Sequence, residues 1–152
     1  MILNAGDTIS GQEGKATAII NGEVKDMFYI KTIEATIEKN KQEVRTFGHR
    51  GVQHKATGWS GTGSMNIYYV TSDFVKLAVD YVKTGVDTFF DITFENNDPT
   101  STIGSQIVGL YGVNINNVPI IKGDVENNVL DTDLEFTFED VDLIKAFDPP
   151  QL

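Results

Sequence analysis

The stretch that decides the fold is GWSGTGSMNIYYVTS, residues 58–72. In its second half Met65, Ile67 and Tyr69 alternate with more polar residues, which is the period of a half-buried strand. Three glycines precede this run. Because glycine within a strand marks a bulge, a bend or a close approach, we expect the start of the strand to be bent or tightly packed. The last two residues, Thr71 and Ser72, form a helix N-cap signal.

One helix is predicted next, over about residues 71–84. Asp73 favours its first turn, Lys83 favours its last turn, and Gly85 is placed to end it. Five apolar residues recur at helical spacing and form one stripe, namely Phe74, Leu77, Ala78, Tyr81 and Val82. The simplest interpretation of this stripe is packing against a sheet.

The rest of the chain has the alternation of strands. Asn21-Gly22 is a hairpin signal that joins a strand over residues 15–20 to a long strand over residues 23–38, whose polar face suits water or a lumen. Further strands are predicted over residues 86–95, 103–115 and 134–139, and residues 141–147 form either a helical turn or an edge strand. The fold class is therefore mainly β: an antiparallel β-sandwich or barrel with one flanking α-helix.

The chain length and composition fit one domain over residues 1–152, with residues 1–13 as an N-terminal arm or irregular lead-in and residues 148–152 as a tail. No apolar run reaches the roughly 20 residues that span a bilayer. The N-terminus lacks the features of a signal peptide, and the chain has no cysteine. We therefore expect a protein that is made and kept in the cytoplasm, without a membrane anchor.

Residues 39–58 interrupt the alternation. The segment is charged, contains three glycines counting Gly58, and has few large apolar residues. It is predicted to be a long extended loop, and an extended charged β-ribbon that projects from the domain also fits. A structureless loop of this length is uncommon in a compact domain unless it has a function.

Charge is distributed unevenly around the net value of −10. Five basic residues between positions 39 and 55 stand against one acid, Glu43, which gives +4. From Val86 onward thirteen acidic residues stand against Lys122 and Lys145, which gives −11. One interpretation is self-association, in which the basic segment of one copy meets an acidic face of the next. The other is a solvated surface without a partner.

No pattern in the sequence favours catalysis or metal binding. His49 and His54 lack companion ligands, Ser60 lacks the Gly-x-Ser-x-Gly elbow, and Val129 stands where the acidic stretch 124–135 would need the glycine of a calcium loop. A chain of charge −10 also repels nucleic acid phosphates. We predict no catalytic residue, no metal site and no cofactor.

Three segments resemble the tail tube proteins of contractile-tailed bacteriophages and of phage-tail-like particles from defective prophages. They are IEATIEKNK (residues 33–41), HKATGWSGTGSMNIYYVTS (residues 54–72) and DLEFTFEDV (residues 133–141). Their order and spacing span most of the chain. The resemblance fits a tube protein of an infectious phage, of a bacteriocin or of a remnant prophage equally well.

The resemblance implies a β-sandwich or barrel subunit that forms rings of six copies joined edge to edge, stacked as a hollow tube inside a contractile sheath. It implies assembly in the host cytoplasm and then residence in the virion or particle. The implied partners are other copies of the chain, the sheath protein, the baseplate or tail initiator and the tape-measure protein. DNA would pass through the lumen without specific binding, or the tube would pierce a target envelope.

In the family, an extended loop at the position of residues 39–58 reaches a neighbouring subunit or ring. The candidates for contacts between subunits are therefore Lys39, Lys41, Arg45, His49, Arg50, His54, Lys55 and Trp59. An alternative function is a carbohydrate- or small-ligand-binding β-sandwich, in which Trp59, Tyr68 and Tyr69 form a stacking platform.

Overall fold

The computed structural model describes residues 2–126 and 129–150. Within these residues the chain is mainly antiparallel β-sheet with a single α-helix and a short 3-10 turn at Ala5–Asp7. The elements are β1 (Gly14–Ile20), β2 (Glu23–Asp26), β3 (Ile30–Val44), β4 (Gln53–Tyr68), α1 (Asp73–Thr84), β5 (Phe90–Asn97), β6 (Ser105–Ile115), β7 (Asp131–Phe138) and β8 (Asp140–Lys145).

The strands follow the order β2-β1-β5-β6-β7-β4-β3, and β8 pairs with β6. The two ends of this order, β2 and β3, are consecutive in the chain and are joined only by residues 27–29. Such a short connection requires the sheet to roll until its ends approach each other. The predicted antiparallel sandwich or barrel is therefore confirmed.

Strand β6 links the two layers of the rolled sheet. Its first part pairs with β5 and β8, whereas Asn114 and Ile115 pair with β7. The turn between these parts is at Gly112, which has φ +65 and on which a Cβ would lie 2.8 Å from the Glu139 carboxylate. Glycine is favoured there chiefly by the left-handed backbone angle, since the nearest atoms belong to the exposed Glu139 side chain.

The core lies between the two layers. Its largest fully buried side chains come from four different strands and are Phe136, Met65, Ile92, Leu134 and Val113. Helix α1 contributes Phe74, whose ring centroid lies 6.3 Å from that of Tyr29 and 6.2 Å from that of Phe90. Burial, and to a lesser extent the charge of Asp73, raises the pKa of Tyr29 to about 12.

The structure of residues 58–72 largely agrees with the prediction. Met65 and Ile67 are buried in β4, and the glycines are sites of close approach, because a Cβ on Gly61 would lie 2.4 Å from the Phe138 ring. The glycines lie within the strand rather than at its start, since β4 begins at Gln53. The predicted helix is confirmed and ends at Gly85, which has φ +74.

The prediction of one strand over residues 23–38 is wrong, because tertiary contacts divide it. After β2 the Met27 backbone N–H donates to the Ala16 carbonyl, and the Tyr68 N–H donates to the Tyr29 carbonyl. Met27 and Tyr29 are both buried. The chain thus leaves β1 at residue 27 and joins β4 at residue 30, with two side chains inserted into the core between these points.

Other strand boundaries also differ from the prediction, since the strands predicted at 134–139 and 103–115 are β7 (Asp131–Phe138) and β6 (Ser105–Ile115). The predicted strand 86–95 begins only at Phe90, because its partner β1 ends opposite Asp91. The tail segment 141–147 is the edge strand β8 rather than a helical turn. The acidic stretch 124–135 and the predicted tail 148–152 include residues 127, 128, 151 and 152, which lie outside the described residues.

The prediction of a loop over residues 39–58 is also wrong in its main form. Residues 39–44 belong to β3 and residues 53–58 to β4, and the two strands pair up to Val44 and Gln53. Only residues 45–52 form the connecting loop. The alternative interpretation, a projecting charged β-ribbon, describes this segment correctly.

The N-terminal segment is held against the loop before β6. The Asp7 carboxylate accepts hydrogen bonds from the Thr102 hydroxyl, at 2.6 Å, and from the Thr102 N–H, at 3.0 Å. These bonds lower the pKa of Asp7, with the hydroxyl contributing most. Backbone N–H groups of Ser10 and Thr100 likewise lower the pKa of Asp98.

We expect Asp7→Asn to weaken the fold at neutral pH and to reduce its sensitivity to acid. A carboxylate with a lowered folded-state pKa stabilises the fold above its ordinary value of 3.8 and loses that contribution as the pH falls through the folded value. Urea unfolding between pH 3 and pH 7 measures the effect. The exposed Asp80→Asn is the control, and equal pH slopes in the wild type and Asp7→Asn would contradict the prediction.

Candidate assembly surfaces

The most unusual surface is a two-stranded arm formed by the distal parts of β3 and β4. Strand β4 pairs with β7 only from Gly61 onward, so the hairpin beyond this point has no third strand among residues 2–126 and 129–150. Every residue from Glu34 to Ser60 is exposed. At about 3.3 Å per residue, the six paired positions from Lys39 to Val44 extend roughly 20 Å before the loop.

The arm carries all eight predicted contact residues. Lys39 pairs with Trp59, Gln42 with Lys55, and Glu43 with His54 in the β3–β4 register. A register shift after Asn40 introduces a β-bulge, which bends the ribbon. Arg45, His49 and Arg50 lie in the loop at its end. The structure thus gathers these residues on one projection, whose role in contacts between subunits stays a prediction.

Local contacts account for few of the charges on the arm. Arg45 lies 3.6 Å from Glu43, and His49 Nδ1 lies 2.7 Å from the Gly51 carbonyl oxygen. Both side chains of the Arg45–Glu43 pair are mostly exposed, so the pair contributes about 0–1 kcal/mol. Within the described residues, no group of three or more His, Asp or Glu side chains is placed to hold a metal ion.

The arm also exposes apolar side chains. Phe47, in the loop at the end of the arm, is fully exposed, and Val44, Val52 and Ile37 are partly exposed. The sequence analysis did not select Phe47 as a contact residue, because a single aromatic residue in a polar segment has no periodic signal. Full exposure of a Phe beside Arg45 is the combination found at protein interfaces, where aromatic residues and Arg are enriched.

The residues of the predicted stacking platform do not come together. Trp59 and Tyr68 are nine residues apart on β4, which corresponds to about 30 Å, and an odd separation places them on opposite faces. Trp59 packs toward Phe138, with ring centroids 6.1 Å apart. Tyr68 instead lies under the Lys31 ammonium, 5.9 Å from its ring centroid. This geometry removes the observation on which the ligand-binding alternative depended.

A second surface is the outer face of β3, β4 and β7, which is polar throughout. Its side chains form rows across the three strands, since Glu34 is paired with Ser64 and Ser64 with Glu135. The next row consists of Thr36, Thr62 and Thr137. The face contains a shallow depression of about 440 Å³. Its lining is mainly polar and carries the carboxylates of Glu34 and Glu135, unlike the predominantly apolar lining of a ligand pocket.

A third surface is a groove between α1 and residues 114–118, also of about 440 Å³. Its helical wall is the predicted apolar stripe. The first part of the stripe, Phe74, is buried in the core as predicted, whereas Tyr81 and Val82 are 53% and 78% exposed. Half of the stripe therefore faces an open groove rather than the sheet.

The fold, a rolled antiparallel sheet with one flanking helix and a projecting arm, agrees with the comparisons with known proteins. The family model described as phage tail tube protein matches residues 1–145. The chain is 45% identical to the phage-like element PBSX protein XkdM of Bacillus subtilis (strain 168), over 94% of this chain and 95% of that protein. The chain belongs to the phage tail tube protein family.

Solved structures with the same fold include chains of two large particles. A chain of the six-fold symmetrised baseplate of the anti-feeding prophage matches with a TM-score of 0.66 and 14% identity, over 95% of this chain and 97% of that chain. A chain of the extended sheath–tube complex of the PVC extracellular contractile injection system matches with a TM-score of 0.64 and 9% identity, over 87% and 88%. The resemblance seen in the sequence is thus confirmed. In the part of the chain that the structure describes, no helix is long and apolar enough to cross a membrane.

Proposed function

We propose that this protein is the subunit of the inner tube of a contractile phage tail or tail-like particle, in which rings of six copies stack along one axis. The observation that carries the proposal is the arm, whose residues from Glu34 to Ser60 are exposed without exception. An isolated two-stranded ribbon is at best marginally stable in water. The arm therefore requires a partner to bury its apolar side chains, and the six-fold particle of a structural neighbour supports a ring of six copies.

The polar outer face of β3, β4 and β7 would line the channel. Repetition of its rows around a ring places the carboxylates of Glu34 and Glu135 in a belt around the lumen, next to a belt of threonines. The field of such an acidic belt keeps DNA phosphates away from the wall. In a phage, DNA would then pass through the tube without specific binding. In a tail-like particle, the tube that pierces an envelope would have a polar, water-filled channel.

The protein would act with a sheath protein on its outer surface and with a baseplate or tail initiator and a tape-measure protein that set the start and length of the tube. The sheath–tube complex and the baseplate among the structural neighbours support the first two partners. The subunit would assemble in the host cytoplasm and remain in the particle, and its role would be structural without catalysis.

Electron microscopy and sedimentation of the purified protein test this function. We expect rings or tubes at high protein concentration, or monomers that polymerise when the cognate initiator complex is added. The diameter of the tubes should match the bore of the cognate sheath. The absence of rings, tubes and sheath binding at every concentration, with and without the initiator, would contradict the proposal.

A further inference from the structure

The N-terminal segment, residues 2–13, is anchored to the rest of the chain through a carboxylate, and we call this segment the strap. Its only buried residue is Asp7, which is 6% exposed. Of its three large apolar residues, Ile2 and Leu3 are 87% and 68% exposed, and Ile9 is only half-buried. A chain terminus stays in place only where contacts tie it down. The strap is therefore tied down by a buried acidic group rather than by a buried apolar side chain.

Two carboxylates connect the strap to the loop of residues 98–104, and we call these contacts the clasp. Asp7 of the strap accepts hydrogen bonds from the hydroxyl and the N–H of Thr102, at 2.6 and 3.0 Å. Asp98 of the loop, which is 8% exposed, accepts the Ser10 N–H of the strap with Oδ2 at 3.0 Å. Its Oδ1 accepts the Thr100 N–H of the loop itself at 2.9 Å. Each side of the clasp thus supplies one carboxylate and the donors for the other.

Every donor in these hydrogen bonds is a neutral group. The Thr102 hydroxyl contributes most to lowering the pKa of Asp7, and the Ser10 N–H contributes most to lowering the pKa of Asp98. Hydrogen bonds to an ionised acceptor are stronger than those to a neutral one. The strength of the clasp therefore depends on the negative charge of the two carboxylates.

The segments that adjoin the clasp carry few charged side chains. These are Glu13, Lys15, Glu95, Lys145 and Asp148. Lys145 Nζ donates to the Ser105 hydroxyl at 2.7 Å. Among the described residues, none of these side chains forms an ion pair with Asp7 or Asp98. The clasp therefore responds to protonation of its own two carboxylates rather than to the loss of an ionic partner.

A turn joins the strap to β1 and is placed to act as a hinge. The Glu13 N–H donates to the Ser10 carbonyl at 3.1 Å, and the Asn97 N–H donates to the Glu13 carbonyl at 3.0 Å, next to the first β1–β5 pair. Gly11, within this turn, has no neighbouring atom within 4 Å of the position of a Cβ. The loop of residues 98–104 is held independently, because the Asp148 N–H donates to the carbonyl of residue 103 at 2.7 Å. Opening of the clasp would therefore move the strap and leave the loop and β1 in place.

We propose that the clasp is sensitive to acid, so that the strap detaches from the loop of residues 98–104 at low pH while the β-sheet remains folded. Protonation of Asp7 and Asp98 removes the charge that strengthens their hydrogen bonds and adds a proton to groups that otherwise only accept. The core of the sheet is apolar and includes neither residue. This inference concerns the single chain and does not depend on the proposed tube function.

Amide hydrogen exchange of the full-length monomer at pH 7 tests the clasp without acid. Asp98→Asn keeps the size of the side chain, but its amide accepts through one atom only, so either the Ser10 or the Thr100 N–H loses its acceptor. We expect exchange in residues 2–13 to be at least about tenfold faster in Asp98→Asn than in the wild type. Asp7→Asn should have a smaller effect, because the one oxygen that accepts both bonds remains and only the charge is lost. The exposed Asp80→Asn is the control and should exchange as the wild type does.

Strands β4 and β7 provide the internal reference, because their exchange reports global unfolding. Faster exchange that is confined to the strap and the loop of residues 98–104 supports the clasp. Unchanged exchange of the strap in Asp98→Asn, or an equal acceleration in β4 and β7, would overturn the proposal.

Acid titration of the wild type, followed by amide NMR, gives a readout that needs no substitution. A carboxylate with a lowered folded-state pKa stabilises its contacts above the ordinary value of 3.8 and loses this contribution as the pH falls through the folded value. The amide signals of Ser10 and Thr102 should therefore change below pH 3.8 and before those of Met65 and Phe136 in the sheet. Loss of all four signals in one transition would show that the strap does not open separately and would reject the proposal.

Discussion

Reversal of three charges on the arm, Arg45→Glu, Arg50→Glu and Lys55→Glu together, is expected to prevent tube growth while the monomer stays folded. Residues 39–55 of the arm have a net charge of +4, and the part of the chain from residue 86 has −11, so the variant replaces attraction between copies with repulsion. All three side chains are exposed, and their loss removes no core contact. We expect the concentration needed for polymerisation to rise at least about tenfold, which light scattering and electron microscopy measure.

A charge-conserving variant is the matched control for this experiment. Arg45→Lys, Arg50→Lys and Lys55→Arg keep the field of the arm and should polymerise nearly as the wild type does. Salt provides a second control, because surface charges act over about 8 Å at physiological ionic strength and less at higher salt. Tubes of normal length in the glutamate variant would exclude charge complementarity as a driving force for stacking.

The features that the sequence predicted well are those with one buried face. In β5 the alternation of Phe90 and Ile92 with Asp91 predicts both the strand and its buried side, because burial on one face is what produces a period of two. The end of α1 was predicted at Gly85 for a local reason, the left-handed backbone that a glycine permits. Such signals depend on neighbours along the chain and can be read without the tertiary structure.

The arm was predicted mainly as a loop because it buries neither face in the single chain. Lys41 and Ala56 are paired across the ribbon through their backbones, while all surrounding side chains are exposed. A ribbon without a core side has no hydrophobic period, so the alternation that identifies a strand is absent from these residues. The break at Met27 was not predicted for a different reason. The Met27 N–H donates to the carbonyl of Ala16, eleven residues earlier in the chain, so the break depends on a contact between strands.

The stripe on α1 shows how a correct periodicity can be assigned to the wrong contact. Phe74 enters the core, but Val82 has the same spacing and remains exposed. A hydrophobic period indicates that one face of a helix avoids water. It does not show whether that face is covered by the core of the same chain or by another chain. The sequence therefore predicted the stripe, but not that its second part, Tyr81 and Val82, is exposed on the single chain.

Gly63→Ala is expected to destabilise the monomer by about 1–3 kcal/mol, although it adds only one methyl group. A Cβ at this position would lie 2.4 Å from the Phe136 ring and 2.8 Å from the backbone oxygen of Glu34. Phe136 is fully buried in the centre of the core, so its ring has little room to move. Urea unfolding at a concentration where the protein is monomeric measures the loss, and Gly58→Ala on the same strand, with only one atom within 4 Å, is the control.

The same contact predicts energetic coupling between Gly63 and Phe136. These residues are paired directly across β4 and β7, and the aromatic ring covers the glycine, which is how a glycine within a strand is compensated. In a Phe136→Leu background the methyl group of Gly63→Ala meets a smaller side chain, so the second substitution should cost less than it does in the wild type. We expect a coupling free energy of about 0.5–3 kcal/mol from the double-mutant cycle. Strict additivity would show that the Glu34 backbone, rather than the Phe136 ring, sets the limit on residue size at this position.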